Sequence, residues 1–320
     1  MEKFSMTKKI LIIADPLDKL SIYADSTYLL FLTAKDLGMS INFCNPNQIY
    51  ALNNHAYALI HQVTINHGLD DIHSTANWFS LSEAKSTLLD EFDAILVRND
   101  PPFTLEYYYL TQLLGLVANN VKIFNPAHSL RNFNEKLAIL NFPQLITPTL
   151  VSKNKSIMLE FIQQHGLCVA KPIDMMAGRG VFQISADNPN QNPILETLTD
   201  YFSQTIMLQK FIPEVVAGDK RIFIINGEVV DYCLYRIPQP GQIRGNLAVG
   251  GRGEVNKLND QDYHIARTVA KWTKQQGILI AGIDVIGNYL TEINITSPTA
   301  MQHIYQVSGI NIAKLILELI

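Results

Sequence analysis

The stretch Gly282-Ile-Asp-Val-Ile-Gly-Asn-Tyr-Leu-Thr-Glu-Ile-Asn294 reads as two short strands around a turn at Gly287-Asn288. Glu292 and Asn294 are two apart in a strand and point to one face, while Ile283, Ile293 and Ile295 face the core on the other. Asp284 joins that face only if parity is kept, through a three-residue turn or a bulge. A plain two-residue turn sets it across from Thr291, on the wrong side. Three oxygen-bearing side chains on one surface suit a hard divalent cation such as Mg²⁺, with phosphate oxygens completing its shell. An ordinary hairpin with a polar outer face is the other reading of the same spacing.

Upstream, Gly241-Gln-Ile-Arg-Gly-Asn-Leu-Ala-Val-Gly-Gly-Arg-Gly253 holds five of the chain's 17 glycines. Such a loop offers flexible backbone N–H donors and can close over a ligand. Arg221, Arg236, Arg244 and Arg252 lie nearby in sequence, and their guanidinium forks suit carboxylate or phosphate. The alternative is a long surface hairpin. Earlier still, Lys171-Pro-Ile-Asp-Met-Met-Ala-Gly-Arg-Gly180 sets a lysine at a strand end before a small-residue hairpin, which can hold nucleotide phosphates from two sides. The Gly-Lys-Ser/Thr phosphate loop is absent, and no nucleophile elbow or supported Cys–His pair offers covalent catalysis.

Around these segments, 320 residues suggest two domains or one large one. Lys9–Ala14, a helix over Ser26–Leu37 capped at Gly38, Ser40–Cys44 and Phe92–Val97 alternate strand and helix, which predicts a parallel sheet with helices on its faces. Residues 45–90 are less regular and read as a long excursion. His55, His61, His67 and His73 repeat there every six residues without acidic or cysteine partners, so a solvated loop is expected rather than a metal site. From about 131 the pattern changes. Helices are expected around Asn132–Leu140 and near 194–203. Strands are expected at Leu167–Lys171, Val181–Ile184, Thr205–Gln209, Arg221–Ile225, Glu228–Arg236, Ile278–Val285 and Leu290–Ile295, with a hairpin turn at Asn226-Gly227. The second half is therefore α+β.

Hydrophobic residues make up 48% and charged residues 17% of the chain, with a net charge of −4. This excludes a disordered chain and argues against a broad basic face for nucleic acid. No apolar run approaches the ~18 residues of a membrane helix, and the apolar run after Lys9 is shorter than a signal-peptide core. Cys44, Cys168 and Cys233 are far apart in apolar runs, favouring neither disulfide nor zinc. A cytoplasmic protein is expected, with Met6 as an alternative start.

Taken together and in order, these segments resemble prokaryotic glutathione synthetase, an ATP-grasp ligase, from about Ile10 nearly to the C-terminus. The resemblance is carried by Arg98-Asn-Asp-Pro-Pro-Phe103, Asn125-Pro126, Ser129-Leu-Arg-Asn-Phe-Asn-Glu-Lys136, Lys171-Pro172 and Gly218-Asp-Lys-Arg221. It continues through Arg236-Ile-Pro238, Arg244-Gly-Asn-Leu-Ala248 with Gly250-Gly-Arg-Gly253, and Thr291-Glu-Ile-Asn-Ile-Thr-Ser-Pro-Thr299. The last two are specific to this family among ATP-grasp ligases.

The resemblance implies an α/β N-terminal domain with a parallel sheet (pre-ATP-grasp, substrate side) over residues 1–130. A two-lobed α+β ATP-grasp domain follows over 131–320, with a lid lobe at about 133–210 and a C-terminal lobe at about 211–320. It implies nucleotide contacts from Lys136, Lys171, Asp219 and the hinge Gln209, Lys210, Phe211 and Ile212. Metal ligands would be Asp284, Glu292 and Asn294, and catalytic groups Arg221 and Arg244. Substrate would be held by Arg236, Asn246, Arg252, Ser297 and Thr299. ATP and Mg²⁺, with Mn²⁺ able to substitute, would serve the joining of γ-glutamylcysteine and glycine through an acyl phosphate. Partners would be small molecules, not nucleic acid or membrane, in a homo-oligomer. Two other readings stay open: an ATP-binding homologue with reduced or lost turnover, and the same ligase chemistry on another dipeptide carboxylate.

The chain departs from the family pattern in three places. Against the resembled family, the lid hairpin has Met175 and Ala177 in place of glycines, the loop before Arg244 has Gln242-Ile243 where Glu-Thr is usual, and the Arg98–Phe103 segment has Asn99 where lysine is common. A side chain at a glycine position that needs positive φ costs about 1 kcal/mol and can obstruct phosphate.

Overall fold

The computed structural model describes residues 7–320 apart from 73, 75, 76, 246, 248 and 249. The chain opens with a parallel unit: β1 (Lys9–Ile13), α1 (Ser26–Asp36) and β2 (Ser40–Cys44). Asp25 caps α1 by accepting the Thr27 N–H at 2.7 Å, and Gly38 leaves it at φ +69°.

Residues 45–90 are not an irregular excursion. They form β3 (Ile49–Leu52), β4 (His55–Ile65), β5 (Phe79–Leu81) and β6 (Lys85–Leu88), all pairing on β4, which runs antiparallel to β2. The signal was masked because two of the inward positions of β4 are alanines, Ala56 and Ala58, while His55, His61 and Gln62 fill outward ones. Of the histidines, His55 and His61 lie on β4 rather than in a loop, His55 exposed, while His67 lies in the connection after that strand. His61 pairs its Nδ1 with the Ser82 carbonyl, and His67 Nε2 lies 2.8 Å from the Tyr28 hydroxyl. His73 lies outside the described residues.

The sheet is completed by β7 (Ala94–Val97) and, after α2 (Leu105–Gly115), by β8 (Lys122–Phe124), giving the order β3-β4-β2-β1-β7-β8. The helix expected over 132–140 is divided instead. α3 (Ala127–Asn132) ends before Asn134, whose Oδ1 accepts the N–H groups of Lys136 and Leu137, and a 3-10 turn follows at Leu137–Asn141.

Next comes a small antiparallel sheet, β11-β10-β12-β9, built from β9 (Thr149–Ser152), β10 (Cys168–Pro172), β11 (Phe182–Ile184) and β12 (Ile206–Lys210). α4 (Lys155–His165) and α5 (Gln191–Leu198) cover it. α5 stops short of the expected 203 because Asp200, Tyr201 and Phe202 take φ of 45°, 51° and 65°, which no right-handed helix can continue.

The last sheet runs β15-β14-β13-β16-β17, from β13 (Asp219–Ile225), β14 (Glu228–Ile237), β15 (Arg252–Lys257), β16 (Ile280–Ile286) and β17 (Tyr289–Asn294). Asn226 and Gly227 close β13 and β14 at φ +51° and +81°, as a type I′ turn requires. α6 (Asp260–Gln275), α7 (Met301–Ser308) and α8 (Ile312–Leu317) pack around this sheet and the N-terminal one.

The cores show how the sheets are joined. Two apolar clusters run continuously from the N-terminal sheet into the last sheet. The small sheet has its own core, centred on Met158, Ile162, Ala170, Leu195 and Leu208. Asn125 staples the larger body: its amide donates to the carbonyls of Ile280 and Ile295 at 2.6 Å and accepts from the N–H groups of Leu279 and Ile280. A cleft lies between the small sheet and the last sheet.

Candidate active site

The parity question at Asp284 is settled by a bulge. Ile286 pairs with Tyr289 and Val285 with Leu290 across a two-residue turn, but Asp284 then pairs with Glu292. Thr291 is the extra residue, and its hydroxyl donates to the Asp284 carbonyl at 3.1 Å. Asp284, Glu292 and Asn294 therefore share one face. On neighbouring strands Arg221 lies directly across from Asp284, and Arg236 across from Asp219. Gly282 makes room for this crossing, since a Cβ there would sit 2.9 Å from Arg221 Cδ and 2.8 Å from Pro298 Cβ.

The face is a tight charge network. Arg221 grips Asp284 through both carboxylate oxygens, at 2.6 and 3.1 Å. Arg236 Nη2 donates to Asp284 at 2.9 Å and to Asp219 at 2.5 Å. Burial opposes the charge on Asp284, yet the two guanidinium groups outweigh it and hold the carboxyl below the usual range. Asp219 is pushed the other way: burial raises it to about 7, against the pull of Arg236. Asn294 donates its amide to Asp284 and to the Gly282 carbonyl, which turns its own oxygen into the available acceptor. Two carboxylates and an amide oxygen on one face form a donor set that fits a hard cation.

Two lysines meet this set, Lys171 from β10 across the cleft and Lys136 from the segment after α3 that packs on β17. Lys136 and Lys171 reach Glu292 Oε1 at 3.7 and 3.8 Å. Lys171 also donates to the Thr291 carbonyl, and Lys136 to the carbonyl of Met175 in the hairpin. Burial pulls the pKa of Lys171 down, with Glu292 supporting its charge and Lys136 opposing it.

The cleft itself runs between the small sheet and the last sheet. Val169, Phe211, Ile212, Val215 and Ile286 supply apolar walls, and Gln209 and Lys210 lead into the crossing segment. Asp219, Arg244 and the hairpin residues Met175 to Arg179 also line it. A second cavity, of about 490 Å³, opens on the other side of Arg221 and Arg236, lined by Asn294, Ser297 and Thr299. Met176 and Ala177 border both.

Arg252 does not join the site. Its side chain is 72% exposed and pairs with Glu254 at 2.7 Å, because it sits at the start of edge strand β15. Nor do the arginines form one open cationic patch: Arg221 and Arg236 pair with Asp284 and Asp219, and both also line the second cavity, where Arg236 Nε has no hydrogen-bond partner among the described residues. Asn246 lies outside the described residues. The hairpin departure is real in the backbone: Ala177 holds φ +55°, between glycines at +72° and +70° in positions 178 and 180.

Sequence reasoning missed four groups here. Glu135 is half-buried and accepts three hydrogen bonds, from the N–H groups of Ile295 and Thr296 and from the Thr296 hydroxyl, so it fixes the end of β17. Asp25, Asp100 and His303 line the second cavity. Only Glu135 and Asp100 lay inside quoted motifs, and nothing in their spacing marked them.

Comparisons with known proteins cover nearly the whole chain. The family described as prokaryotic glutathione synthetase, N-terminal domain, matches residues 8–131, and its ATP-grasp domain matches residues 135–309. A protein of Neisseria meningitidis serogroup A named glutathione synthetase is 43% identical over 314 residues, 96% of each chain. One of Xanthomonas campestris with the same name is 39% identical over 316 residues, 98% of each. Among solved structures, a D-cycloserine synthetase superposes with a TM-score of 0.65 at 13% identity, covering 97% of both chains. A Chryseobacterium gregarium ATP-grasp ligase in complex with ADP and peptides gives 0.63 at 17% identity, covering 98% of this chain and 96% of that one. These two likenesses concern the fold.

Proposed function

The chain belongs to the prokaryotic glutathione synthetase family, and from that premise we propose how its residues divide the work of ATP-dependent glutathione synthesis. It is an ATP-dependent ligase of the ATP-grasp type. Residues 1–130 form the substrate side, and 131–320 the ATP-grasp domain, with its lid lobe at about 133–210.

ATP lies in the cleft, its base against Val169, Ile212 and Ile286 at the hinge 209–212, and its phosphates toward Lys136, Lys171 and Arg244. Asp284, Glu292 and Asn294 would hold Mg²⁺, which when bound supplies charge neutralisation at the phosphates. γ-Glutamylcysteine occupies the second cavity with its C-terminal carboxylate toward Arg221 and Arg236. A carboxylate oxygen attacks the γ-phosphorus and ADP leaves. The glycine amine then attacks the acyl carbon, and phosphate leaves with that oxygen. Phosphoryl transfer of this kind asks for positioning and charge rather than a protein nucleophile. The free cysteines fit that: all three are buried, and burial pushes their thiols up, Cys168 to about 11. The lid, with its own core, closes on the rigid base and keeps water from the acyl phosphate.

The observation that carries this reading is the shared wall. Met176 and Ala177 border both cavities, and Asp284 of the first is paired with Arg221 and Arg236 of the second. No described helix is long and apolar enough to cross a membrane, and we assign the enzyme to the cytoplasm, as a homo-oligomer. The test is ADP release from ATP and Mg²⁺. It should require both γ-glutamylcysteine and glycine. Tight ATP binding without substrate-dependent ADP would instead identify a binding protein, and release with another dipeptide only would move the specificity.

A further inference from the structure

The hairpin between β10 and β11 carries two adjacent methionines over the nucleotide cleft. Met175 is 42% exposed and Met176 half-buried, and both line the cleft with Lys136, Lys171 and Arg179. Met175 also borders a third cavity, of about 70 Å³, beside Lys136 and Arg131. The other sulfurs among the described residues are shielded. Met158, Met207 and Met301 are fully buried, and Met39 is half-buried against the core that α1 joins. Cys44, Cys168 and Cys233 are buried too, and burial raises their thiols, Cys233 to about 12 and Cys168 to about 11. A thiol attacks an oxidant as its thiolate, which these cysteines do not supply near neutral pH. A thioether has no proton to lose, so access decides its reactivity. Met175 is therefore the sulfur that a small oxidant meets first.

Polarity at this position matters because the hairpin lies over the cationic end of the cleft. Lys136 donates to the Met175 carbonyl and stands 3.7 Å from Glu292, and Lys171 stands 3.8 Å from the same carboxylate. A sulfoxide turns an apolar side chain into a polar one whose oxygen accepts hydrogen bonds, so it competes with phosphate for these ammonium groups. We propose that Met175 is a peroxide-sensitive modification site, at which oxidation of the thioether weakens ATP binding and slows the ligase. The sulfur lone pair attacks one oxygen of hydrogen peroxide and the O–O bond breaks. The second oxygen leaves as hydroxide, takes the proton of the first and departs as water. The thioether is oxidised to the sulfoxide and the peroxide is reduced. The site rests on the nucleotide placement given above and adds a control on it.

Wild type, Met175→Leu and Met176→Leu are each treated with hydrogen peroxide in the absence of nucleotide, and the peroxide is removed with catalase. Leucine keeps the apolar volume and cannot be oxidised. Peptide fragmentation in the mass spectrometer locates each added oxygen. Calorimetry with a non-hydrolysable ATP analogue and Mg²⁺ compares treated with untreated protein, beside ADP release. In wild type, Met175 should gain one oxygen about tenfold faster or more than Met158, Met207 and Met301. The Kd of the analogue should rise about fivefold or more, the scale of one competing hydrogen bond. It should return once methionine sulfoxide reductases restore the thioether at the expense of a dithiol. Met175→Leu should keep its own untreated Kd through the treatment, while Met176→Leu should respond as wild type does. Oxidation at Met175 no faster than at the buried methionines, an unchanged Kd with Met175 oxidised, or an equal loss in Met175→Leu overturns the site. An untreated protein that binds the analogue but releases no ADP with γ-glutamylcysteine and glycine ends the ligase reading, while a Kd that rises on oxidation still supports the site. Full turnover with a Kd indifferent to oxidation does the reverse.

Discussion

Replacing Lys171 by methionine separates the demands of folding from those of nucleotide binding. In the folded protein Lys171 is buried, and its carboxylate neighbour Glu292 lies 3.8 Å away. Glu292 keeps Lys136 at 3.7 Å if Lys171 is removed, so no acid is left unpaired. Methionine is close in length and apolar, and replacing a buried charge by an apolar group is neutral or stabilising when no partner is orphaned. Stability should therefore stay within about 1 kcal/mol of wild type or rise. Binding is a different matter. A phosphate oxygen about 4 Å from the ammonium is worth about 4 kcal/mol at an effective dielectric of about 20. Burial has already stripped water from the lysine, so about 2–3 kcal/mol should survive as net affinity, or roughly 30- to 150-fold in Kd. Calorimetry with a non-hydrolysable ATP analogue and Mg²⁺, beside urea unfolding of both proteins, reads the two quantities. An ATP Kd within threefold of wild type would refute the placement of the phosphates. A large loss of stability would refute the pairing argument.

Further outcomes follow from other parts of the structure. Restoring glycine at Met175 and Ala177 relieves a positive φ worth about 1 kcal/mol and should raise kcat; no gain means the hairpin does not limit turnover. Asn125→Ala leaves two buried N–H groups and two carbonyls without partners, and should cost at least about 2 kcal/mol in urea unfolding. Asn125→Asp should be worse, because its carboxylate faces the Ile280 and Ile295 carbonyls. Asp284 is held below the usual carboxylate range, so its share of stability is fully present above its unfolded pKa of about 4 and is lost as pH falls through the lower folded value. Unfolding midpoints should show no Asp284-dependent loss between pH 7 and 5, and a loss there that Asp284→Asn abolishes would contradict the pairing. Removing divalent cations with EDTA should stop ADP release without lowering the unfolding midpoint, because Arg221, Arg236, Lys136 and Lys171 already balance the carboxylates.

Much of this site was legible from residue order because sheets convert spacing into sides. The two-residue interval between Glu292 and Asn294 placed both on one face, and Ile283, Ile293 and Ile295 behind it are buried. Whether Asp284 joined them could not be read, since it depended on a one-residue bulge at Thr291 that no local preference announces. The sheet around β4 was hidden by alanines on its inner face. Arg252 was misplaced because nearness in sequence to Arg244 says nothing about the strand edge that carries it into solvent. Asp25 caps α1 and Asp100 follows β7, and they come to one cavity only through tertiary packing, so no motif could have joined them.

Two cavities that share the wall of Met176 and Ala177 let a dipeptide carboxylate take the γ-phosphoryl group of ATP. γ-Glutamylcysteine labelled with ¹⁸O in its cysteinyl carboxylate tests it directly, by mass spectrometry of the phosphate released in the presence of glycine. Transfer of one labelled oxygen to phosphate for each glutathione formed is the predicted result. Unlabelled phosphate, with the label retained in the peptide, would contradict the account.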